Sequence, residues 1–188
     1  MKRIPVTVLA ECALMLAVAT ILSFITVYQM PYGGTITLCS MVPLLYVSFH
    51  YPIKWATLTA VAFGLLQMLF AFFAPPSRSI LVFAGVVLLD YLVAFGVLGL
   101  AGFFGKPFQG SNDGIKGMLI GGSIAIAGRF LCHFVSGILI WSAYAPEGQL
   151  VALYSLLYNG SFMLGEWLLS MVALVALAKI LPKKRVRS

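Results

Sequence analysis

The stretch Ile36-Thr-Leu-Cys-Ser-Met-Val-Pro-Leu-Leu-Tyr-Val-Ser-Phe49 decides how many times this chain crosses a membrane. It is apolar, but it is short and contains Pro43. A membrane-spanning helix needs about 20 mostly apolar residues. Length alone therefore leaves two interpretations open: a short span, or a segment that enters and leaves the membrane on the same side.

The composition around this stretch is that of a membrane protein. Of the 188 residues, 62% are hydrophobic and only 9% are charged, and the mean hydropathy is +1.05. Soluble domains carry roughly 25% charged residues. The apolar runs, bounded by Gly, Pro and charged residues, cover 6–28, 36–49, 55–74, 80–104, 117–141 and 150–181. These runs predict an all-α integral membrane protein in which residues 1–188 form a single domain.

The basic residues favour a short span over a re-entrant segment. Lys and Arg collect in cytoplasmic loops near the ends of spans. With six spans and a cytoplasmic N-terminus, only Arg78 lies in an outer loop and Arg129 lies within a span. The cytoplasmic side then holds Lys2, Arg3, Lys54, Lys106, Lys116, Lys179, Lys183, Lys184, Arg185 and Arg187. Five spans would separate the two basic termini, so we expect six spans with both termini in the cytoplasm.

Three further features fit this interpretation. The N-terminal apolar run continues through Tyr28 without a clear cleavage site, so we expect a first span rather than a signal peptide. Cys12, Cys39 and Cys132 lie in apolar runs without metal-ligand spacing, so we expect small apolar fillers. The net charge of +7 reflects membrane topology and contact with anionic lipid rather than a nucleic-acid partner.

Polar side chains inside a bilayer are costly, so they usually face a protein interior or a cavity. The candidates are Glu11, Gln67, Asp90, Arg129, His133, Asn159 and Glu166. At 1.5 Å per helical residue, Asp90 lies roughly 15 Å below the outer surface, His133 about 12 Å and Asn159 about 13 Å. Gln67 lies about 10 Å down. The two glutamates are expected near the cytoplasmic side, outside this group.

The helical phase places aromatic side chains at a depth similar to that of these polar residues. Arg129, His133, Gly137 and Trp141 are spaced by four and share one face of the fifth span. We expect Gly137 to leave room for a flat group between the imidazole and the indole. With Tyr91 and Tyr154 nearby, the pattern predicts an aromatic pocket over a polar floor. Such a pocket suits a planar ligand, and its acid favours a cation.

Structural interpretations of the same residues remain open. Asp90 and Arg129 can form a buried ion pair, with or without a ligand. His133 can be a structural residue that forms a hydrogen bond between helices and contacts no ligand. Trp141 and Tyr144 occupy positions where aromatic residues anchor proteins at the membrane surface. Gly117 and Gly121 have the spacing of close helix packing, and Glu166 is expected to be structural.

The sequence carries no pattern for metal or nucleotide chemistry. The intramembrane His, Asp and Cys residues lack the spacing of metal ligands. A phosphate-binding loop, a G-x-S-x-G motif and an H-E-x-x-H motif are all missing. We therefore expect a protein that is not an enzyme, with no cofactor and no metal, that cannot itself use ATP.

Four segments carry a family resemblance. They are Asp90-Tyr-Leu-Val-Ala-Phe, Arg129-Phe-Leu-Cys-His-Phe-Val-Ser-Gly-Ile-Leu-Ile-Trp, Tyr144-Ala-Pro-Glu-Gly and Tyr154-Ser-Leu-Leu-Tyr-Asn-Gly-Ser. They resemble the thiamin-binding S component of energy-coupling factor (ECF) vitamin transporters, and the first outer loop, Met30-Pro-Tyr-Gly-Gly-Thr-Ile-Thr, is similar too. The resemblance implies a six-helix substrate-binding domain in a bacterial plasma membrane. It also implies partnership with a transmembrane coupling subunit and two ATPases.

The resemblance also implies roles for individual residues. Its ligand-binding positions correspond to Asp90, Tyr91, His133, Gly137, Trp141, Tyr154 and Asn159. Tyr32, Gln67 and Arg129 are additional candidate contacts. Family members often carry Glu where Asp90 stands, and the loop after the third span, Ala74-Pro-Pro-Ser, shows no match to the aromatic position expected there. Ala13 and Ala17 on the first span correspond to the surface that docks the coupling subunit.

Two other functions compete with thiamin binding. One keeps the same mechanism but changes the vitamin, for example to riboflavin. The other is a stand-alone secondary transporter, in which Asp90, His133 and Arg129 would form a proton relay.

Overall fold

The computed structural model describes residues 5–105 and 112–180, and most of them are helical. Six helical segments run through the bundle: α1 Val6–Ser23, α2 Val42–His50, α3 Ile53–Phe70, α4 Ile80–Phe104, α5 Asn112–Leu139 and α6 Val151–Ile180. All except α2 are long and apolar enough to cross a membrane. The predicted helical membrane protein is confirmed.

The second crossing is built differently from the predicted helix over 36–49. Its helical part, α2, has nine residues and is only about 14 Å long. However, α1 and α3 run in the same direction. Gln67 Nε2 donates to Ser23 Oγ at one end (2.8 Å), and Cys12 packs in a cluster with Ala56 nearer the other. The chain between them must therefore cross back, so the sixth pass exists although α2 is short.

A β-hairpin occupies the remainder of this pass. Strands β1 (Thr26–Gln29) and β2 (Thr35–Thr37) pair antiparallel, and the turn between them places Tyr32 at φ 64° and Gly33 at φ 96°. The first span was therefore predicted too long, because its helix ends at Ser23 rather than continuing to residue 28. We call this side of the bundle the hairpin end.

Helices α3 to α6 alternate in direction. Each helix contacts the next near both ends, and the residue order is reversed between the two partners. These contacts are Gly64–Tyr91 and Thr57–Gly99 for α3 and α4, Val97–Gly128 and Ala101–Gly121 for α4 and α5, and Gly137–Ser155 and Gly122–Met171 for α5 and α6. The described chain therefore starts and finishes at the same end of the bundle, opposite the hairpin. Cytoplasmic placement of that end stays a prediction, because Lys2, Arg3, Lys106 and the basic run 183–187 lie outside the described residues.

Helix α4 changes its winding along its length. Residues Val87–Val93 form a π-helical turn, and Val97–Leu100 form a 3-10 turn. At the π turn, the carbonyl oxygen of Tyr91 approaches α3 so closely that a Cβ on Gly64 would lie 2.5 Å from it. π turns inside helices are frequent at functional sites, and this one carries Asp90 and Tyr91.

Backbone-to-backbone contacts hold the opposite end of the bundle together. A Cβ on Gly102 would lie 1.9 Å from the Ser48 carbonyl oxygen, and one on Gly121 would lie 2.3 Å from the Ala101 carbonyl oxygen. The Ser48 hydroxyl donates to the Gly99 carbonyl and accepts from the Gly102 N–H, both at 2.8 Å. The close packing predicted from the glycine spacing of α5 is therefore confirmed at Gly121.

We predict that Gly102→Ala destabilises the protein by about 1–3 kcal/mol, because the new methyl group would force α2 and α4 apart. Thermal unfolding in detergent measures this as a lower midpoint. Gly160→Ala is the matched control, since a Cβ there would meet only Phe130, at 3.9 Å. Equal midpoints for the two variants would contradict the packing described.

Candidate ligand-binding site

A cavity of about 440 Å³ opens between α3, α4, α5 and α6 beneath the hairpin. Its volume lies within the range of roughly 300–1,000 Å³ that small-molecule sites occupy. All ten residues predicted as ligand contacts border it: Tyr32, Gln67, Asp90, Tyr91, Arg129, His133, Gly137, Trp141, Tyr154 and Asn159. The depth estimate, the helical phase and the family resemblance therefore indicated one common location, although contact with a ligand stays a prediction.

The Asp90 carboxylate at the cavity wall has three hydrogen-bond partners. Its Oδ1 lies 2.9 Å from His133 Nδ1. Its Oδ2 accepts from the Ser136 hydroxyl at 2.6 Å and from the Trp141 indole N–H at 3.0 Å. All three donors belong to α5 or to the turn directly after it. The carboxylate is therefore held in one orientation.

The ion pair between Asp90 and Arg129 that the sequence allowed does not form. Arg129 lies one turn deeper than His133, where its Nη1 contacts the Met41 sulfur at 2.8 Å. Its guanidinium lies 4.2 Å from the centre of the Phe95 ring. Within the described residues, Arg129 Nε has no hydrogen-bond partner. The Asp90 carboxylate therefore pairs with the His133 imidazole rather than with the Arg129 guanidinium.

Glu166 lies outside the cavity, as predicted, but not at the far end of its helix. It sits midway along α6, and its Oε1 accepts from the Thr37 N–H at 2.6 Å and from the Thr37 hydroxyl at 2.7 Å. The side chain is 2% exposed. Glu166 therefore fixes strand β2 against α6, which is a structural contact.

Stacked aromatic rings form the rim of the cavity. Tyr32 from the hairpin turn stacks on Tyr144, with ring centres 4.3 Å apart. Tyr144 in turn stacks on Trp141 at 6.0 Å, and Phe73 contacts Trp141 at 5.7 Å. Tyr144, which was considered a membrane anchor, therefore belongs to the cavity wall.

Several cavity residues were missed by the sequence reasoning. They include Phe70, Phe72, Phe73, Tyr144 and Tyr158. The expected aromatic position after the third span was sought in Ala74-Pro-Pro-Ser, whereas the aromatic run Phe70-Ala-Phe-Phe directly precedes it. Tyr158 lies four residues after Tyr154 and shares its helical face, so the periodicity of α6 could have identified it.

Tyr158 anchors the hairpin turn above the cavity. Its hydroxyl accepts from the Gly34 N–H at 2.9 Å and donates to the Pro31 carbonyl. One side chain of α6 therefore satisfies backbone groups on both sides of Tyr32, and this holds the turn over the opening.

The structure corrects the expectation for Gly137. A Cβ there would point toward α6, 2.1 Å from the Ser155 hydroxyl oxygen and 3.0 Å from Asn159 Nδ2. Gly137 therefore permits close packing of α5 on α6 rather than opening space for a flat group. Because α5 and α6 lie so close together here, the Asn159 amide donates to the His133 carbonyl at 3.2 Å.

Two of the remaining wall residues also have partners within the protein. The Tyr91 hydroxyl donates to the Ala71 carbonyl at 3.2 Å, and Gln67 binds Ser23. His133 differs, since its Nε2 has no hydrogen-bond partner in the described part of the chain. With a proton on Nδ1 directed at Asp90, Nε2 is left as an acceptor.

We predict that Tyr158→Phe increases amide hydrogen exchange around Gly34 by about 2- to 13-fold, the range expected for one lost hydrogen bond. Exchange measured by mass spectrometry on the ligand-free protein, over peptides covering residues 30–38, tests this. Tyr154→Phe is the control because it removes a hydroxyl from the same helical face. If both variants exchange like the parent, Tyr158 does not anchor the turn.

Comparison with known proteins is consistent with this geometry along almost the whole chain. The family model described as thiamine transporter protein (Thia_YuaJ) matches residues 9–186. The thiamine transporter ThiT of Bacillus subtilis (strain 168) is 29% identical over 185 residues, covering 93% of this chain and 92% of that protein. ThiT of Lacticaseibacillus paracasei is 33% identical over 103 residues, about half of each chain.

A solved structure shows the same fold. The structure of ThiT from Listeria monocytogenes superimposes with a TM-score of 0.77 at 28% sequence identity. The match covers 93% of this chain and 94% of that one. The similarity therefore includes both the helical bundle and the segments that surround the cavity.

Proposed function

Because this chain belongs to the thiamine transporter protein family, a family of multi-pass bacterial membrane proteins, we propose that it binds thiamin in the cavity beneath the hairpin. We further propose that it is the substrate-binding S component of an ECF importer. In this role it captures thiamin from the extracellular side and leaves ATP hydrolysis to separate subunits.

The observation that carries the thiamin assignment is the Asp90 carboxylate beneath a rim of stacked aromatic rings. Thiamin joins a cationic thiazolium ring to an aminopyrimidine and carries a hydroxyethyl tail. A carboxylate attracts either the cation or the amino group, and aromatic faces attract flat cations. Because Arg129 bonds to Met41 rather than to Asp90, the charge of the carboxylate stays available to a ligand.

The other cavity residues supply complementary groups. Trp141 presents a ring face for stacking, next to Tyr144. His133 offers Nε2 as a hydrogen-bond acceptor. Asn159 donates through Nδ2 to backbone and to Ser155, which leaves its side-chain oxygen as the atom that would face a ligand. Tyr154 borders the cavity near its opening.

The first helix is suited to docking a membrane partner. Only 11% of the α1 span is buried inside the protein, whereas the other long helices have 28–39% of their spans buried. Ala13 and Ala17 lie one turn apart on its exposed surface, and small residues let another helix approach closely. We propose that this face docks the coupling subunit that carries the two ATPases.

The competing functions are less well supported. The family match names thiamine rather than riboflavin. The proton relay expected of a secondary transporter included Arg129, which is directed away from Asp90 and His133.

We predict that the purified parent binds thiamin at micromolar concentration or below in isothermal titration calorimetry. Asp90→Asn and Trp141→Ala should each weaken binding by about 1–3 kcal/mol, the scale of a lost buried polar partner. Trp55→Ala, toward the opposite end of the bundle, is the control. A folded parent that shows no heat of binding would rule out the thiamin assignment.

We also predict that replacing Ala13 and Ala17 together by Trp leaves thiamin affinity unchanged but abolishes co-purification with the coupling subunit and ATPases. The bulky rings would block close approach of a partner helix. Leu168→Trp, on the exposed face of α6, should retain the complex. Intact co-purification of the double variant would show that docking uses another surface.

A further inference from the structure

Ser136 is a polar residue that neither the sequence pattern nor the cavity lining identifies. It lies on α5, is 0% exposed and does not border the cavity. Its hydroxyl donates to Asp90 Oδ2 at 2.6 Å and accepts from the Trp141 indole N–H at 3.1 Å. It therefore contacts both of the side chains that the thiamin assignment needs most, without contacting the ligand space itself.

We propose that Ser136 is a positioning residue for ligand binding, which holds the Asp90 carboxylate and the Trp141 indole in a single arrangement. This inference rests on the proposed function, because it assigns Ser136 a role in the same site.

Ser136 restricts the rotation of the Asp90 carboxylate. A hydrogen bond to Oδ1 alone, from His133, would leave the carboxylate free to turn about the bond that joins it to Cβ. Oδ2 is held by the Ser136 hydroxyl at 2.6 Å and by the Trp141 N–H at 3.0 Å, so Ser136 makes the shorter of the two bonds that prevent this rotation. A short hydrogen bond to a carboxylate oxygen is among the stronger ones in proteins. Within α5, His133 and Ser136, three positions apart, therefore set the carboxylate plane, and Trp141 adds a third, longer bond.

Ser136 also orients the Trp141 ring. Trp141 lies beyond the end of α5, so the helix itself does not fix its ring. The indole N–H is shared between Asp90 Oδ2 at 3.0 Å and the Ser136 hydroxyl at 3.1 Å. The hydroxyl accepts from the indole while it donates to the carboxylate, since one hydroxyl carries both a donor and acceptor lone pairs. Ring orientation and carboxylate orientation are thus coupled through one oxygen atom.

A double-mutant cycle on thiamin affinity tests this role. Ser136→Ala should weaken binding by about tenfold or more in the parent, because the charged partner loses its donor. In the Asp90→Asn background the same substitution should weaken binding by only about threefold or less, since a neutral acceptor loses a weaker bond. A purely structural effect of Ser136→Ala would give the same factor in both backgrounds.

The control is Ser48→Ala, which also removes a buried hydroxyl, one bonded to backbone at the opposite end, and should leave thiamin affinity unchanged. If Ser136→Ala does not fold, Ser136→Cys, which keeps a weak donor of similar size, takes its place in the cycle. Equal factors in the two backgrounds, or no weakening in the parent, would overturn the role of Ser136 alone. A parent that does not bind thiamin would overturn the proposed function as well.

Discussion

The hydrogen-bonded carboxylate of Asp90 is the constraint on which the cavity depends. A charged side chain inside a membrane protein is costly unless several partners surround it. Here every partner comes from α5 or from the turn after it: His133, Ser136 and Trp141. The carboxylate therefore sets the position of α4 against α5 and draws the indole toward the cavity wall. The aromatic rim then follows, because Tyr144 stacks on that indole and Tyr32 stacks on Tyr144.

The two ends of the bundle are packed differently. At the end opposite the hairpin, Gly102 and Gly121 bring helix backbones into direct contact, which leaves no space between the helices there. At the hairpin end the helices carry large aromatic and polar side chains and enclose a cavity instead. Tyr158 and Glu166 on α6 hold the hairpin in place above it. A rigid scaffold at one end thus supports preorganised binding groups at the other.

Much of this arrangement could be predicted, because hydropathy, charge placement and a rise of 1.5 Å per residue depend on local sequence alone. They located five long helices and brought Asp90, His133 and Asn159 to one level. The remaining features depend on tertiary contacts. The apolar pattern extended the first span to residue 28, whereas Thr26–Gln29 pair with Thr35–Thr37 in a hairpin. The phase of α5 could not tell whether Asp90 pairs with Arg129 or with His133, since the π turn in α4 changes where the carboxylate points. Ser136 looked like any small residue of a membrane helix.

In the proposed function, a preorganised carboxylate under aromatic rings makes this cavity selective for a flat cation. The most direct measurement compares the affinity of the purified protein for thiamin with its affinity for an uncharged isostere in which carbon replaces the thiazolium nitrogen. Both ligands would be titrated calorimetrically in the same detergent. We predict that thiamin binds at least about tenfold more tightly, the scale of a charge-assisted or cation–π interaction in a desolvated site. Equal affinities for the two ligands would contradict the claim, because shape alone would then explain binding.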